Sequence, residues 1–174
     1  MSSNAQIAEI FTQIAGYMEI AGENSFKIRA YRRAAEAVAT YPGAIEDAAA
    51  NGTLRDIEGL GEATAAKTQE YLQTGQVQYL ERLKEKYPAG LMELLRVPGL
   101  GPKKVATLYH ERGIDSLEQF TVALKSGALQ GVSGFGPKTL KNLQQSLERM
   151  KKLTARLPLG RALPVAARLR EQLQ

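Results

Sequence analysis

Apolar residues recur at spacings of three and four along almost the whole chain. Ile7, Ile10, Phe11, Ile14, Met18 and Ala21 mark one face of a helix over residues 4–21. Gly22-Glu23-Asn24 ends it, and Ser25 stands as the cap of a second helix over 26–39. That helix would bury Phe26, Ala30, Ala34, Ala37 and Val38 and leave Lys27, Arg29, Arg32 and Arg33 mostly outside. Tyr41-Pro42-Gly43 turns the chain into a short helix over 44–51. The same reading predicts helices over 62–72, 77–86 with Leu80 and Leu83 inward, 102–112, 117–125 capped by Ser116, 137–152 and 162–172. No segment alternates apolar and polar residues with β-branched enrichment, so the expected fold is all-α: two small helical domains with repeated helical hairpins.

The hairpins stand out as a repeat. Ile57-Glu58-Gly59-Leu60-Gly61-Glu62-Ala63, Val97-Pro98-Gly99-Leu100-Gly101-Pro102-Lys103-Lys104 and Val132-Ser133-Gly134-Phe135-Gly136-Pro137-Lys138-Thr139 share one frame. Each reads as a turn between two helices. The second helix starts with unpaired N–H groups and a partial positive charge, where an anion sits naturally. Glycine at Gly59 and Gly61, Gly99 and Gly101, and Gly134 and Gly136 clears the approach of a phosphate and permits positive φ. Lys103, Lys104, Lys138, Thr139 and Lys141 add charge and hydrogen bonding beside it. The first copy carries Glu62 where the others have Pro-Lys, so it attracts anions less. The glycines would equally allow close helix contact, and the pattern leaves that alternative open. Carbonyls of Leu95, Val97 and Leu100 in such a turn are candidates for a monovalent cation, Na+ or K+.

Charge sharpens the picture. Residues 1–87 carry 9 Lys+Arg against 12 Asp+Glu, and residues 88–174 carry 14 against 6, so the net +5 is concentrated in the second half. A polyanionic partner for that half follows, or a solvated basic face. The sign change coincides with the turn Tyr87-Pro88-Ala89-Gly90, which divides the chain into expected domains 1–87 and 88–174. The chain has no Cys and only 6% aromatic residues, which excludes disulfides and thiolate metal sites and suggests an aliphatic, Ala-rich core. No run is long and apolar enough for a membrane span and no basic-then-apolar leader is visible, so a cytoplasmic place is the expectation. His110 lies on a charged helix stretch and should be solvated; Asp56 and Asp115 form no metal pair.

The hairpins resemble the helix-hairpin-helix motif of DNA-repair proteins. Phe26-Lys27-Ile28-Arg29-Ala30-Tyr31-Arg32-Arg33-Ala34-Ala35, then Ala39-Thr40-Tyr41-Pro42, Ile57 to Gly61 and Glu70-Tyr71-Leu72-Gln73-Thr74-Gly75, resembles the lyase domain of family X DNA polymerases. Residues 95–114 resemble the second hairpin of that family. The resemblance implies a sequence-nonspecific grip on gapped or nicked DNA at its 5′-phosphate, in base excision or gap repair. It places a Schiff-base lysine at Lys67 with Tyr31 beside it, and phosphate-binding charge at Lys27 and Arg32. Ala63 stands where the family often has a second lysine, which weakens that grip. The three carboxylates and Mg2+ of nucleotidyl transfer belong to a palm domain beyond this chain, whose 157–164 segment resembles the run before it. No cofactor is expected here beyond the hairpin cation. DNA and the missing polymerase domains are the expected partners, with a monomeric, nucleoid-associated, prokaryotic protein as the setting. Two other readings stay open: a non-catalytic junction-binding or scaffold protein, and a helical protein–protein module.

Overall fold

The computed structural model describes residues 3–156, and every regular element among them is helical. The elements are α1 (Ser3–Ile20), α2 (Ser25–Thr40), α3 (Ile45–Ala50), a 3-10 turn (Leu54–Asp56), α4 (Glu62–Thr74), α5 (Gln78–Lys86), α6 (Gly90–Leu95), α7 (Pro102–Arg112), α8 (Leu117–Ser126) and α9 (Pro137–Arg156). The expected helix at 162–172 and the segment 157–164 lie outside the described residues. No helix among the described residues is long and apolar enough to cross a membrane.

The helix α1 is the centre of the packing. It lies along α2 and also meets α3, α4, α5, α6 and α7. Phe11 and Ile14 are fully buried, and Ile7, Ala15, Tyr17 and Met18 nearly so. The polar residues Gln6, Glu9, Thr12 and Gln13 keep one side of α1 toward solvent, and the apolar remainder, widened near its end by Gly16 and Ile20, is what the other helices cover. Asn4 anchors its start: Nδ2 donates to the Gly43 carbonyl at 2.8 Å, and Oδ1 accepts from the Ile45 N–H at 3.0 Å. Near its other end, Tyr17 stacks on Tyr87 with centroids 6.1 Å apart, and Tyr87 meets Tyr109 of α7 edge-on at 6.3 Å. A Cβ at Gly16 would come within 2.9 Å of Leu95 Cδ1, so α1 and α6 touch closely there. Buried residues from Ile7 to Leu147 form one connected core.

Three expectations change. The cap of α2 is Asn24, whose Oδ1 accepts from the Phe26 N–H at 2.8 Å, so the helix begins at Ser25. Phe26 falls on the outer face, away from α1, and is 75% exposed; the buried stripe is Ile28, Tyr31, Ala34, Ala35 and Val38. The core is mainly aliphatic as expected, with Phe11, Tyr17, Phe120 and Phe135 as its largest fully buried side chains. His110, though exposed, has a partner: its Nε2 lies 3.0 Å from the Ile20 carbonyl. A carbonyl only accepts, so this nitrogen carries the proton.

Candidate nucleic-acid interface

Each hairpin begins with a four-residue turn. The N–H of Leu60 donates to the Ile57 carbonyl at 3.0 Å, that of Leu100 to Val97 at 2.9 Å, and that of Phe135 to Val132 at 3.0 Å. The third residue of each turn is glycine at positive φ: +101° at Gly59, +92° at Gly99 and +82° at Gly134. This is the type II turn, which favours Pro at its second position, where Pro98 stands. Ile57 packs against the core, and Leu60, Val97, Leu100, Val132 and Phe135 are buried in it, so the turns are fixed from below.

The second glycine of each frame has another purpose. Gly61 (φ −89°) and Gly101 (φ −79°) cap α4 and α7 in extended conformations open to any residue, and Gly136 before α9 also lies outside the positive-φ set. A Cβ at any of the three would meet nothing within 4 Å. The fold therefore does not require glycine there. What glycine provides is an open path to the helix N-terminus from outside.

The three copies differ in what they leave free. In the second, the N–H groups of Gly99, Gly101 and Lys103 find no acceptor among the described residues, and Lys104 Nζ donates to the Gly99 carbonyl at 2.8 Å. That hydrogen bond parks an ammonium at the loop itself. In the first, Thr64 Oγ1 already accepts from the Gly61 N–H at 2.9 Å. The first hairpin thus caps itself, and with Glu62 it is the weakest anion cradle of the three. Gly59 is also a packing glycine, since its Cβ would lie 2.9 Å from that of Ala37 on α2. The second and third hairpins lean on each other: a Cβ at Gly99 would lie 3.4 Å from Leu143 of α9, and one at Gly134 3.7 Å from Lys104 of α7. Lys103 and Lys104 accordingly share one end of the molecule with Lys138, Thr139 and Lys141.

A second constellation gathers on the N-terminal side. Half-buried Lys67 of α4 places Nζ 5.9 Å from the ring centre of Tyr31 and 5.3 Å from that of Tyr79 of α5. The two rings stack 6.3 Å apart, and the Arg82 guanidinium lies 6.0 Å from the Tyr79 ring. Burial first, and the neighbouring Tyr79 second, push the Tyr31 phenol up to about 12, so it stays a proton donor at neutral pH. Lys27 is exposed one helical turn before Tyr31. Arg32 points elsewhere: it pairs with Glu19 and lines a groove with Arg29 and Lys103. Sequence reading missed Tyr79 and Arg82. Their register on α5, with Lys86 four residues on, was available, but nothing in it says which helix they face. Phe26 was missed too; it presents its ring outward with the Arg29 guanidinium 4.6 Å from its centre.

The carbonyls suggested for a cation keep their capacity. Val97 accepts one turn bond, and Pro98 offers no N–H to Leu95 one turn earlier. Among the described residues no cluster of three or more His, Cys, Asp or Glu is placed to hold a metal ion.

Two family descriptions match the sequence. A helix-hairpin-helix domain covers residues 2–77, and a SAM-like helix-hairpin-helix tandem covers residues 91–149. Helix-hairpin-helix descriptions thus match a stretch in each half of the chain. It is also 35% identical over 167 residues to the DNA polymerase/3′-5′ exonuclease PolX of Bacillus subtilis (strain 168). That match takes in 96% of this chain and 29% of the relative, in its N-terminal part. The resemblance to the N-terminal part of a family X polymerase therefore extends over nearly all of the chain. These matches support DNA binding in a family X polymerase context.

Proposed function

We propose that this chain is the DNA-gripping part of a gap-repair polymerase, acting as a monomer on gapped or nicked DNA near the nucleoid. Residues 88–174 hold the duplex backbone through the second and third hairpins, and residues 1–87 hold the 5′-phosphate side of the gap. The observation that carries this reading is the pair of open glycine-capped helix starts, Gly101 and Gly136, ringed by lysines and unneeded by the fold. Backbone contacts of this kind position a protein without reading sequence. A Na+ or K+ ion on the Leu95, Val97 and Leu100 carbonyls would stiffen the second turn and add charge behind the phosphate.

The 5′-phosphate side centres on Lys67, with Lys27 and Arg82 as flanking charge. Arg32 joins only by releasing Glu19. On a 5′-deoxyribose phosphate, the neutral Lys67 amine would attack the C1′ aldehyde and lose water to form an imine. Water takes the C2′ proton, the C3′–O bond breaks with the DNA 5′-phosphate as leaving group, and a second water hydrolyses the imine, releasing the unsaturated sugar phosphate and returning the lysine. Tyr31, protonated at neutral pH, donates a hydrogen bond and does not act as the base. Borohydride reduction of the imine tests this directly. The wild-type chain is expected to form a covalent adduct with 5′-deoxyribose-phosphate DNA, and Lys67→Ala to form none. A wild type that traps nothing leaves a binding protein without lyase chemistry, a reading favoured by Ala63 and by the self-capped first hairpin.

The exposed Phe26 ring fits the unpaired base of a gap, since every base has a face to stack. Phe26→Ala should weaken binding to a one-nucleotide gap roughly tenfold, the lower end of a base–aromatic stack, and leave binding to a nick unchanged. Anisotropy titrations with the two DNAs check this, and equal losses on both would remove stacking as the cause.

A further inference from the structure

We infer that the outer face of α9 is a second DNA contact, a basic rail that follows the duplex away from the third hairpin; this rests on the DNA-binding reading above. Lys138, Lys141, Asn142, Gln145, Arg149 and Lys152 are all exposed. At 100° per residue they fall within an arc of about 100° on α9. That arc is opposite the face where Leu143 and Leu147 are buried and Met150 packs against the core. The arc holds four cations and two amides, and the one acid of α9, Glu148, lies about 20° outside its edge. A solvated helix face ordinarily mixes both signs, as α5 does with Glu81, Lys84, Glu85 and Lys86. The cations are also unengaged: the ion pairs among the described residues are Arg32–Glu19 and Lys84–Glu81, neither on α9.

Geometry gives the rail its partner and direction. Its first cation follows the Gly136 helix start, so a phosphate held there begins the track. Lys138 to Lys152 spans fourteen residues, about 21 Å at 1.5 Å per residue. That length matches roughly six base pairs of duplex at 3.4 Å each. The amides of Asn142 and Gln145 suit phosphate and sugar oxygens, which carry no sequence information. The third hairpin and its own helix therefore form one continuous backbone-binding edge.

The test compares wild type with the double variant Arg149→Gln/Lys152→Gln, both positions exposed and remote from the hairpin turns. Gapped DNAs carry a loop-closed duplex arm lengthened in steps from about three to about twelve base pairs, bracketing the predicted footprint of about six. Affinity is read by anisotropy over a range of salt concentrations. Wild type should gain affinity as the arm grows and then level off. The variant should gain little, and its salt slope should fall by about 2, near 0.9 per lost phosphate contact. Lys84→Gln/Lys125→Gln, which removes the same net charge elsewhere, should keep the wild-type slope and arm dependence. If the α9 variant also keeps both, the face is a solvated surface and the inference is overturned. If Gly101→Val binds as wild type does, the hairpin reading itself fails, which is a separate result.

Discussion

Gly101→Val combined with Gly136→Val should reduce duplex affinity to a weak background while leaving the helical content unchanged. Both residues precede a helix in open space, Gly101 at φ −79° and Gly136 outside the left-handed region, so the folded chain has no reason to object. The isopropyl groups would stand where a phosphate approaches the N–H groups of α7 and α9. A hydrogen bond to a charged group contributes about 1.5–3 kcal/mol, so blocking one hairpin should cost roughly ten- to a hundredfold in affinity. Blocking both should leave only the diffuse attraction of the basic half. The single Gly61→Val should be far milder, because Thr64 already takes the Gly61 N–H. Circular dichroism and anisotropy on the same preparations check the pair. A double variant that binds as wild type does would mean that the glycines serve something other than DNA.

Gly90→Ala should be the most damaging small substitution for the fold. A Cβ there would run into the Asp115 carbonyl and lie 3.1 Å from the Ser116 Cα, both main-chain atoms. Neither can step aside easily. The Asp115 N–H is tied to Gln119 Oε1 at 3.0 Å, and Ser116 caps α8 by accepting from the Gln119 N–H. The start of α6 would have to move, taking the second hairpin with it. Overpacking against backbone of this kind costs about 3 kcal/mol. For a chain of this size that corresponds to a fall in Tm of roughly 6–12 °C. Gly61→Ala, into open space, should shift Tm by no more than a degree or two. Thermal melts of the two variants side by side give the comparison, and a Gly90→Ala protein as stable as wild type would show that α6 and the loop before α8 separate without loss.

Much of this was legible in the sequence because helices and hairpin turns are local. The glycine frame gives its own reason for each residue: positive φ at Gly59, Gly99 and Gly134, and proline at Pro98 where the turn favours it. The boundaries of α7, Pro102–Arg112, follow from a proline that starts a helix and a glycine that ends it. What escaped depended on contacts between distant segments. Whether α2 buries Phe26 and Ala30 or Ile28 and Tyr31 depends on the side on which α1 lies, and a helix with small residues on both faces leaves that open. Gly90 reads as a turn residue two positions after Pro88, yet it is the first residue of α6 and its hydrogen is what the backbone at Asp115 will tolerate. The pairing of Lys67 with Tyr79 joins α4 to α5 across a turn whose direction no periodicity specifies.

The position of α1 has a consequence for folding as well as for packing. It is the first helix of the chain, yet it supplies one wall to α2 and another to α6 and α7, some seventy to ninety residues later. A shared wall of that kind makes the two halves melt together, because neither can lose it alone. It also ties their occupancy. A phosphate held at the second hairpin stabilises α7, α7 stabilises α1, and α1 carries α2 with Tyr31 and Lys27. Ligand bound at one end of the molecule thus adds to the stability of the other through a single buried helix.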